Sequence, residues 1–228
     1  MAKIKFGMMM TDARGKLGGQ VFSKNRAGAY IRTKVTPSNP QTQAQMQSRS
    51  LLGTLSVGWN ALTDEQRASW NGAVDSWAKT DVFGDIKKPS GKNLYVSLNK
   101  NLGLVSLPFI ETAPEKKEMQ DLSRVSFVSD GEQLLVGSAD GIPLPLSNYA
   151  IFATPVLPQG VSNAKNRFRH LVNITTTSME GTDIYDAYVA KFGAFAVDSN
   201  IQLLIKEIAE NGQAGVPIKA KLSFVETP

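Results

Sequence analysis

The stretch Pro217-Ile-Lys-Ala-Lys-Leu-Ser-Phe-Val225 has the clearest pattern in the chain. Apolar residues occupy every second position from Ile218 to Phe224, and lysine or serine fills the positions between them. Successive side chains of a strand point to opposite faces of a sheet, so the pattern predicts a strand with one buried and one solvated face. Asn211-Gly212 precedes this strand and predicts a turn, because both residue types tolerate left-handed backbone geometry.

Six other segments in the second half of the chain have strand character. They are 124–128, 133–137, 148–154, 168–176, 184–192 and 200–208. Seven short strands within about 110 residues predict an antiparallel β-sandwich of the immunoglobulin-like kind.

Helices are predicted upstream of these strands, at 42–54 and, after a loop at 81–93, at 92–102. Between them, Gln66 follows Thr63 at the spacing of a capping box, in which a hydroxyl and a side-chain amide bond each other's backbone N–H groups. This pair predicts the start of a further helix at Asp64.

All three tryptophans, Trp59, Trp70 and Trp77, lie within nineteen residues. Trp70, Val74 and Trp77 have the spacing of one face of the helix that follows Thr63. We interpret the three tryptophans as the structural core of a small helical unit. A platform that stacks against sugar rings is the alternative use of such a cluster.

Positive charge is concentrated at the N-terminal end. The first fifty residues contain nine Lys or Arg and one acid, Asp12, whereas the rest of the chain has a net charge of −3. Two β-prone runs in this segment, 20–24 and 29–35, predict a hairpin. Tyr30, Arg32 and Lys34 would share one side of its second strand.

Pro37 and Pro40 follow the hairpin and favour an extended crossing over a central strand. We therefore predict a basic N-terminal arm that lies on an acidic partner, either another protein or a nucleic acid. The residues predicted to contact that partner are Lys24, Arg26, Tyr30, Arg32, Lys34 and Pro37.

These elements divide the chain into three predicted segments. Residues 1–40 form the basic arm with its hairpin, residues 41–114 a helical domain and linker, and residues 115–228 the β-sandwich. The last boundary is placed near Pro114, where a proline-containing segment meets a run of charged residues. The predicted fold class is α+β.

No pattern in the sequence indicates an enzyme. The absence of cysteine excludes disulfides and thiolate zinc sites, and His170 is the single histidine. Asp183 and Asp186 are the closest plausible carboxylate pair, but a turn at a strand edge explains them equally well. We expect no catalytic residue, no metal and no cofactor. No apolar run approaches the ~18 residues of a membrane span, so we expect a soluble protein without a membrane partner or secretion signal.

Three stretches resemble uncharacterised virion-associated proteins of tailed bacteriophages, among them crAss-like phages. They are Gly18-Gly-Gln-Val-Phe-Ser-Lys-Asn-Arg26, Tyr30-Ile-Arg-Thr-Lys-Val-Thr-Pro37 and Trp59-Asn-Ala-Leu-Thr-Asp-Glu-Gln-Arg-Ala-Ser-Trp70. The resemblance covers residues 15–78 and, less distinctly, 207–217. It implies a structural component of a phage particle, often with a β-sandwich after the N-terminal part.

Together these observations predict a head auxiliary or decoration protein of a virion assembled in the host cytoplasm. Its basic arm would bind the capsid or other virion proteins, in many copies per particle. A portal or tail adaptor, a nucleic-acid-binding protein and a carbohydrate-binding adhesion module are the alternatives. A protein partner is favoured over nucleic acid because the arm contains no recognised nucleic-acid-reading motif.

Overall fold

The computed structural model describes residues 2–8, 10–119, 125–129, 133–138, 147–158, 160–161, 163–175, 182–194 and 199–223. These residues form four α-helices and several antiparallel sheets, so the predicted α+β class is confirmed. The chain divides into two compact units. The first unit is Met1–Arg49 with Ala78–Lys87, and the second unit is Ser50–Trp77 with Lys88–Pro228. Residues on both sides of Pro114 therefore belong to the second unit.

A four-stranded antiparallel sheet forms most of the first unit. Its strands are β1 (Ala2–Lys3), β2 (Gly15–Leu17), β3 (Gln20–Asn25) and β4 (Gly28–Thr33), in the spatial order β1-β4-β3-β2. The predicted hairpin of β3 and β4 is confirmed, with Asn25 paired to Gly28 across a two-residue turn. A second two-residue turn joins β2 to β3, and its first residue, Gly18, has φ +56°, which favours glycine.

A two-stranded hairpin completes the first unit. It consists of β5 (Lys79–Thr80) and β6 (Ile86–Lys87), joined by a loop in which Asp81 accepts hydrogen bonds from the backbone N–H groups of Phe83 and Asp85. The prediction of a loop throughout 81–93 was therefore wrong for β6. The acid at position 81 organises this turn through its side chain, an interaction that strand propensities do not include.

The first helix, α1 (Gln43–Ala61), is longer than predicted and passes from the first unit into the second. The predicted end at residue 54 was wrong, because packing in the second unit continues the helix through two glycines. Leu55 is buried there, and a Cβ at Gly58 would lie 2.8 Å from the Tyr95 hydroxyl oxygen. Glycine at position 58 therefore permits a close approach that a larger residue would prevent.

The second helix, α2 (Asp64–Ala73), begins at the capping box predicted from the sequence. Thr63 Oγ1 accepts from the Gln66 N–H at 3.2 Å, and Gln66 Oε1 accepts from the Thr63 N–H at 2.8 Å. The third helix, α3 (Gly91–Leu104), is within two residues of its predicted bounds. Four large apolar residues of this helix are buried: Leu94, Tyr95, Leu98 and Leu102.

Amide side chains attach irregular segments to α3 and to the turn after β12. Asn99 Oδ1 accepts from the Ile110 N–H at 2.7 Å, and its Nδ2 donates to the Ile110 carbonyl at 3.1 Å. Asn101 Nδ2 donates to the Gly212 carbonyl at 2.8 Å. The Gln213 side chain bonds both the N–H and the carbonyl of Lys117. These bonds satisfy backbone groups that have no strand or helix partner.

The larger sheet of the second unit has four antiparallel strands. They are β9 (Asn148–Ala153), β10 (Arg169–Ile174), β12 (Asn200–Ile208) and β13 (Ile218–Ser223), in the order β10-β9-β12-β13. The alternation predicted for β13 is confirmed, because Ile218 and Leu222 pack against the core and Lys219 and Lys221 are exposed. Several predicted strand residues lie outside the described ones: Arg124, Thr176, Phe224 and Val225.

A smaller sheet and one helix share a core with this sheet. The strands are β7 (Val125–Ser129), β8 (Leu134–Ser138) and β11 (Thr182–Asp183), in the order β11-β8-β7, and the helix is α4 (Tyr185–Phe192). Buried residues from β8, β9, β10, β12 and α4 form one apolar cluster: Leu134, Val136, Tyr149, Ile151, Ala153, Ile174, Tyr188, Ile201, Leu203 and Ile205, with Ile184 directly before α4.

The strand predicted at 184–192 was wrong, because this segment is α4. Its aromatic and β-branched content favours a strand, but Ile184, Tyr188 and Phe192 are four residues apart and fall on one helical face. Asp186 in the first turn and Lys191 in the last turn also match the helix dipole. The spacing of the apolar residues therefore indicated the helix, whereas their residue types indicated a strand.

Gly212 provides a test of the packing between the turn after β12 and α3. Its φ is +76°, and a Cβ there would lie 2.6 Å from the Leu98 carbonyl oxygen. Gly193 is a matched control, because its φ is +86° but a Cβ would meet nothing within 4 Å.

We expect Gly193→Ala to lower the free energy of unfolding by about 1 kcal/mol, through backbone strain alone. Gly212→Ala should lower it by at least about 2 kcal/mol more, because backbone atoms must also move. Urea unfolding followed by tryptophan fluorescence measures both values. Equal losses for the two variants would contradict the close approach of residue 212 to α3.

Candidate partner-binding surface

The register of the first sheet sorts its residues onto two faces. Lys16 lies opposite Val21, which lies opposite Arg32, so these three residues form a row across β2, β3 and β4. The Lys34 N–H donates to the Gly19 carbonyl at 2.8 Å and continues the ladder by one residue. We call the set on this side the basic face: Lys3, Lys16, Val21, Ser23, Tyr30, Arg32 and Lys34.

The opposite side of the sheet is mainly apolar. We call it the apolar face, and it carries Ala2, Leu17, Gln20, Phe22, Lys24, Ala29, Ile31 and Thr33. Cross-strand partners such as Phe22 and Ile31 share a face because they lie directly opposite each other. The two faces therefore differ in charge, with one lysine on the apolar face and three lysines and an arginine on the basic face.

The predicted contact residues are only partly brought together. Tyr30, Arg32 and Lys34 share the basic face, as the alternation of β4 predicted. Lys24 lies on the apolar face, and Arg26 lies in the turn at the far end of the hairpin. Pro37 belongs to an exposed segment, 34–42, that has no regular secondary structure.

Lys16 is a residue of the basic face that the sequence analysis did not select. It was missed because the predicted hairpin began at residue 20, after the glycine-containing segment 15–19. The available signal was the Gly18-Gly19 pair, which can form a two-residue turn and so place residue 16 beside the hairpin.

Acidic residues of the first unit neutralise one group of its lysines. Lys3 Nζ lies 2.9 Å from Asp81 Oδ2, and Lys5 Nζ lies 3.1 Å from the carboxylate of Asp85. Lys87 Nζ is 3.9 Å from both carboxylates. Both carboxylates of the 79–87 hairpin are therefore already paired with lysines of the same unit.

A second group of cations has no such partner. Seven exposed residues of the first unit make no ion pair with any residue that the structure describes: Lys16, Lys24, Arg26, Arg32, Lys34, Arg49 and Lys79. Three of them, Lys16, Arg32 and Lys34, are on the basic face. Neighbouring strands are about 4.8 Å apart, so the Cα atoms of Lys16 and Arg32 are about 10 Å apart.

Charge and burial both distinguish the first unit. Its residues include eleven Lys or Arg and three Asp, a net charge of +8, whereas the second unit has fourteen Lys or Arg and seventeen acids, a net charge of −3. None of the residues described in the first unit is fully buried, and even Phe22 and Tyr30 are only half-buried. The first unit thus presents positive charge on a sheet whose faces are not enclosed.

The three tryptophans occupy one apolar cluster of the second unit. Trp70 and Trp77 are buried, and Trp59 is half-buried. The Trp59 and Trp70 rings lie 5.6 and 5.4 Å from the Tyr95 ring, and Trp70 Nε1 donates to the Glu111 carbonyl at 2.7 Å. The enclosed Trp70 and Trp77 rings have no open face for stacking on a sugar.

The titratable residues singled out in the second half of the chain make local hydrogen bonds. His170 Nε2 lies 2.7 Å from Asn173 Oδ1, whose amide group donates to the Leu104 carbonyl at 2.7 Å. Asp183 Oδ1 accepts from the N–H groups of Leu134 and Tyr185, at 3.0 and 2.9 Å. These bonds give both side chains a structural role.

Over the residues that the structure describes, no three His, Asp or Glu side chains come together as a potential metal site. Within the same residues, no helix has the length and apolarity needed to cross a membrane. Comparisons with protein-family models, curated proteins and solved structures found no match to this chain. The description of the basic face as a candidate partner-binding surface therefore rests on the geometry and charge of the face itself.

The Lys3–Asp81 pair makes the stability of the first unit dependent on pH. The Lys3 ammonium group, together with the N–H groups of Phe83 and Asp85, lowers the pKa of Asp81 to about 2, although the side chain is only 6% exposed. The ordinary value, 3.8, applies in the unfolded chain. Because the folded pKa is the lower one, the ionised form stabilises the unit fully above about pH 5, and this contribution is lost as the pH falls towards 2.

We expect Asp81→Asn to lower the stability of the first unit at neutral pH and to flatten its loss between about pH 5 and 2. Amide NMR signals of β1 and β4, followed through urea unfolding at each pH, measure this. Asp64→Asn removes a fully exposed carboxylate and serves as the control. The same pH profile in the wild type and Asp81→Asn would contradict the role of the pair.

Proposed function

We propose that this protein is a structural component of a tailed-phage virion, specifically a head auxiliary protein that binds the major capsid shell through its first unit. The observation that carries the proposal is the cluster of Lys16, Arg32 and Lys34 on one open sheet face, without ion pairs to described residues. The acids of the same unit are already bound to other basic residues, so these three cations are available to an external anionic surface.

Binding to a capsid shell is compatible with the weakness of each ion pair that the three cations would form. An exposed ion pair contributes at most about 1 kcal/mol, so three cations alone would hold a single partner loosely. A capsid repeats the same acidic surface at every symmetry copy, and a protein bound at many copies coats the particle without needing one strong site. The exposed segment 34–42, with Pro37, would extend the contact as an arm along a neighbouring subunit.

In this proposal the second unit is the part displayed on the particle. Its two antiparallel sheets share one apolar core, which supports their description as an immunoglobulin-like β-sandwich with α4 in place of one expected strand. A rigid body of this kind, attached by a basic unit, is suited to decorate or bridge capsomers. The same architecture would serve a portal or tail adaptor, which differs only in the identity of the partner.

A nucleic-acid-binding function is the second candidate. Tyr30 shares the basic face with Arg32 and Lys34, and single-stranded nucleic acid combines base stacking on aromatic rings with phosphate contacts to such cations. Tyr30 is half-buried, which limits the ring surface open to a base. The two candidates differ in salt dependence, because phosphate binding releases counterions.

The test is co-sedimentation of the full-length protein with DNA-free heads of the phage and, separately, with duplex and single-stranded DNA at low and moderate salt. We expect the wild type to bind heads, and Arg32→Glu/Lys34→Glu to bind them at least about tenfold more weakly, because two attractive charges become repulsive. Lys219→Glu/Lys221→Glu makes the same change of net charge on the exposed face of β13 and should bind normally.

Two results would contradict the proposal. The first is unchanged head binding by Arg32→Glu/Lys34→Glu, which would separate the basic face from attachment. The second is salt-sensitive binding to DNA without binding to heads, which would favour the nucleic-acid candidate. Near-native amide NMR spectra of the variants ensure that either result reports on the surface and not on unfolding.

A further inference from the structure

Strand β2 is an open edge of the first sheet. It pairs with β3 on one side, and among the described residues no strand pairs with its other side. All three residues of β2 are exposed, and Leu17 is 71% exposed. An edge strand offers unpaired backbone N–H and C=O groups to an added strand.

The register identifies which backbone groups face outwards. Leu17 and Gln20 flank a two-residue turn, so they form a hydrogen-bonded pair and their backbone groups point towards β3. Hydrogen-bonded and non-hydrogen-bonded pairs alternate along an antiparallel ladder, so the next pair, Lys16 and Val21, is not hydrogen-bonded. The N–H and C=O groups of Lys16 therefore point to the open edge.

The side chains around Lys16 define what an added strand must carry. A residue paired with Lys16 would place its side chain on the basic face, beside Lys16 and in the row that continues through Val21 to Arg32. Its two neighbours would lie on the apolar face, one beside Leu17 and one beside Gly15. Gly15 lies opposite Phe22 and leaves part of that ring uncovered. The matching sequence is an acidic residue between two apolar ones.

The β2 strand of a second copy of this chain does not match this apolar-acidic-apolar pattern. Lys16 is the β2 residue whose backbone groups face outwards, so antiparallel pairing of two β2 strands about this residue would set one Lys16 directly opposite the other. Like charges in that position are destabilising, and each first unit carries a net charge of +8. Lysine on a short edge strand is a known means of preventing self-association. The charge thus selects an acidic strand of a different protein.

We infer that β2 is a strand-addition site, at which an extended segment of a partner protein with the pattern apolar-acidic-apolar pairs with the backbone of Lys16. The inference rests on the proposed function, because the acidic strand belongs to the shell protein that the basic face binds. It adds a backbone contact with a fixed register to an attachment otherwise based on charge. Backbone pairing would also widen a sheet that has no fully buried residue.

The probe is an acetylated and amidated Ser-Val-Glu-Val-Ser peptide, added to the full-length protein labelled with ¹⁵N. We expect exchange of the Lys16 amide with deuterated water to slow by at least about tenfold at saturating peptide, because its N–H becomes hydrogen-bonded. The Leu17 amide, which already points to β3, should change little. A peptide with glutamine in place of glutamate should bind up to about fivefold more weakly.

The same peptide with an N-methyl group on its glutamate is the control that separates strand addition from charge attraction. It keeps the carboxylate but cannot donate to the Lys16 carbonyl, so it should give no protection at Lys16. Equal protection by the methylated peptide, or no protection by either peptide, would overturn the inference. Protection by oligodeoxythymidine but not by the peptides would also overturn it, in favour of a nucleic-acid site.

These outcomes are distinguishable from failure of the proposed function. If β2 is not a strand-addition site but the proposed function holds, head binding remains sensitive to Arg32→Glu/Lys34→Glu while Lys16 stays unprotected. If the proposed function fails, that sensitivity is absent whatever the peptides do.

Discussion

Buried amide hydrogen bonds hold the second unit together where regular secondary structure is absent. The side chains of Asn99 and Gln213 each bond both the N–H and the carbonyl of a residue in the 105–118 segment. Asn211 adds a bond from its Nδ2 to the Glu115 carbonyl at 3.0 Å. Each of these amides gives a partner to backbone groups that have none in a helix or strand, and a buried backbone group left without a partner costs about 1–3 kcal/mol. The amides thereby attach irregular chain to the regular elements of the second unit.

The first unit has no comparable interior, so its stability depends on backbone hydrogen bonds, turns and ion pairs. Two tight turns join β2, β3 and β4. The ion pairs Lys3–Asp81 and Lys5–Asp85 connect the β1 end of the sheet to the 79–87 hairpin. Ladder bonds and surface ion pairs contribute little net free energy in water, so a small sheet of this kind gains most from a surface that covers it. Lys16, Arg32 and Lys34 of the basic face are available to such a surface because the few acids of the unit pair with other basic residues.

Local sequence signals predicted the elements that local interactions determine. The capping box of Thr63 and Gln66, the alternation of β13 and the hairpin of β3 and β4 are all of this kind. Contacts between residues distant in the sequence determine the features that were not predicted. Helix α1 continues past residue 54 because of packing around Leu55. Asn99 bonds Ile110, eleven residues away in a segment without regular structure. The helix at Tyr185–Phe192 was a different error, since its apolar spacing was visible but was outweighed by residue type. For the candidate surface, three of the six predicted residues share a face, and Lys16 required knowledge of the register.

The first unit is formed by two separate segments of the sequence, and this restricts how recombination can transfer it to another protein. Its sheet comes from residues 2–33, whereas the acids that neutralise Lys3 and Lys5 come from residues 81–85, after α1 and α2 have been completed. A recombination event that exchanges only the N-terminal forty residues would separate the sheet from these acids. A new host protein would receive two additional uncompensated lysines, and the donor would retain a hairpin whose two carboxylates share the single ion-pair partner Lys87. The first unit is therefore transferable only together with the helices encoded between its two parts.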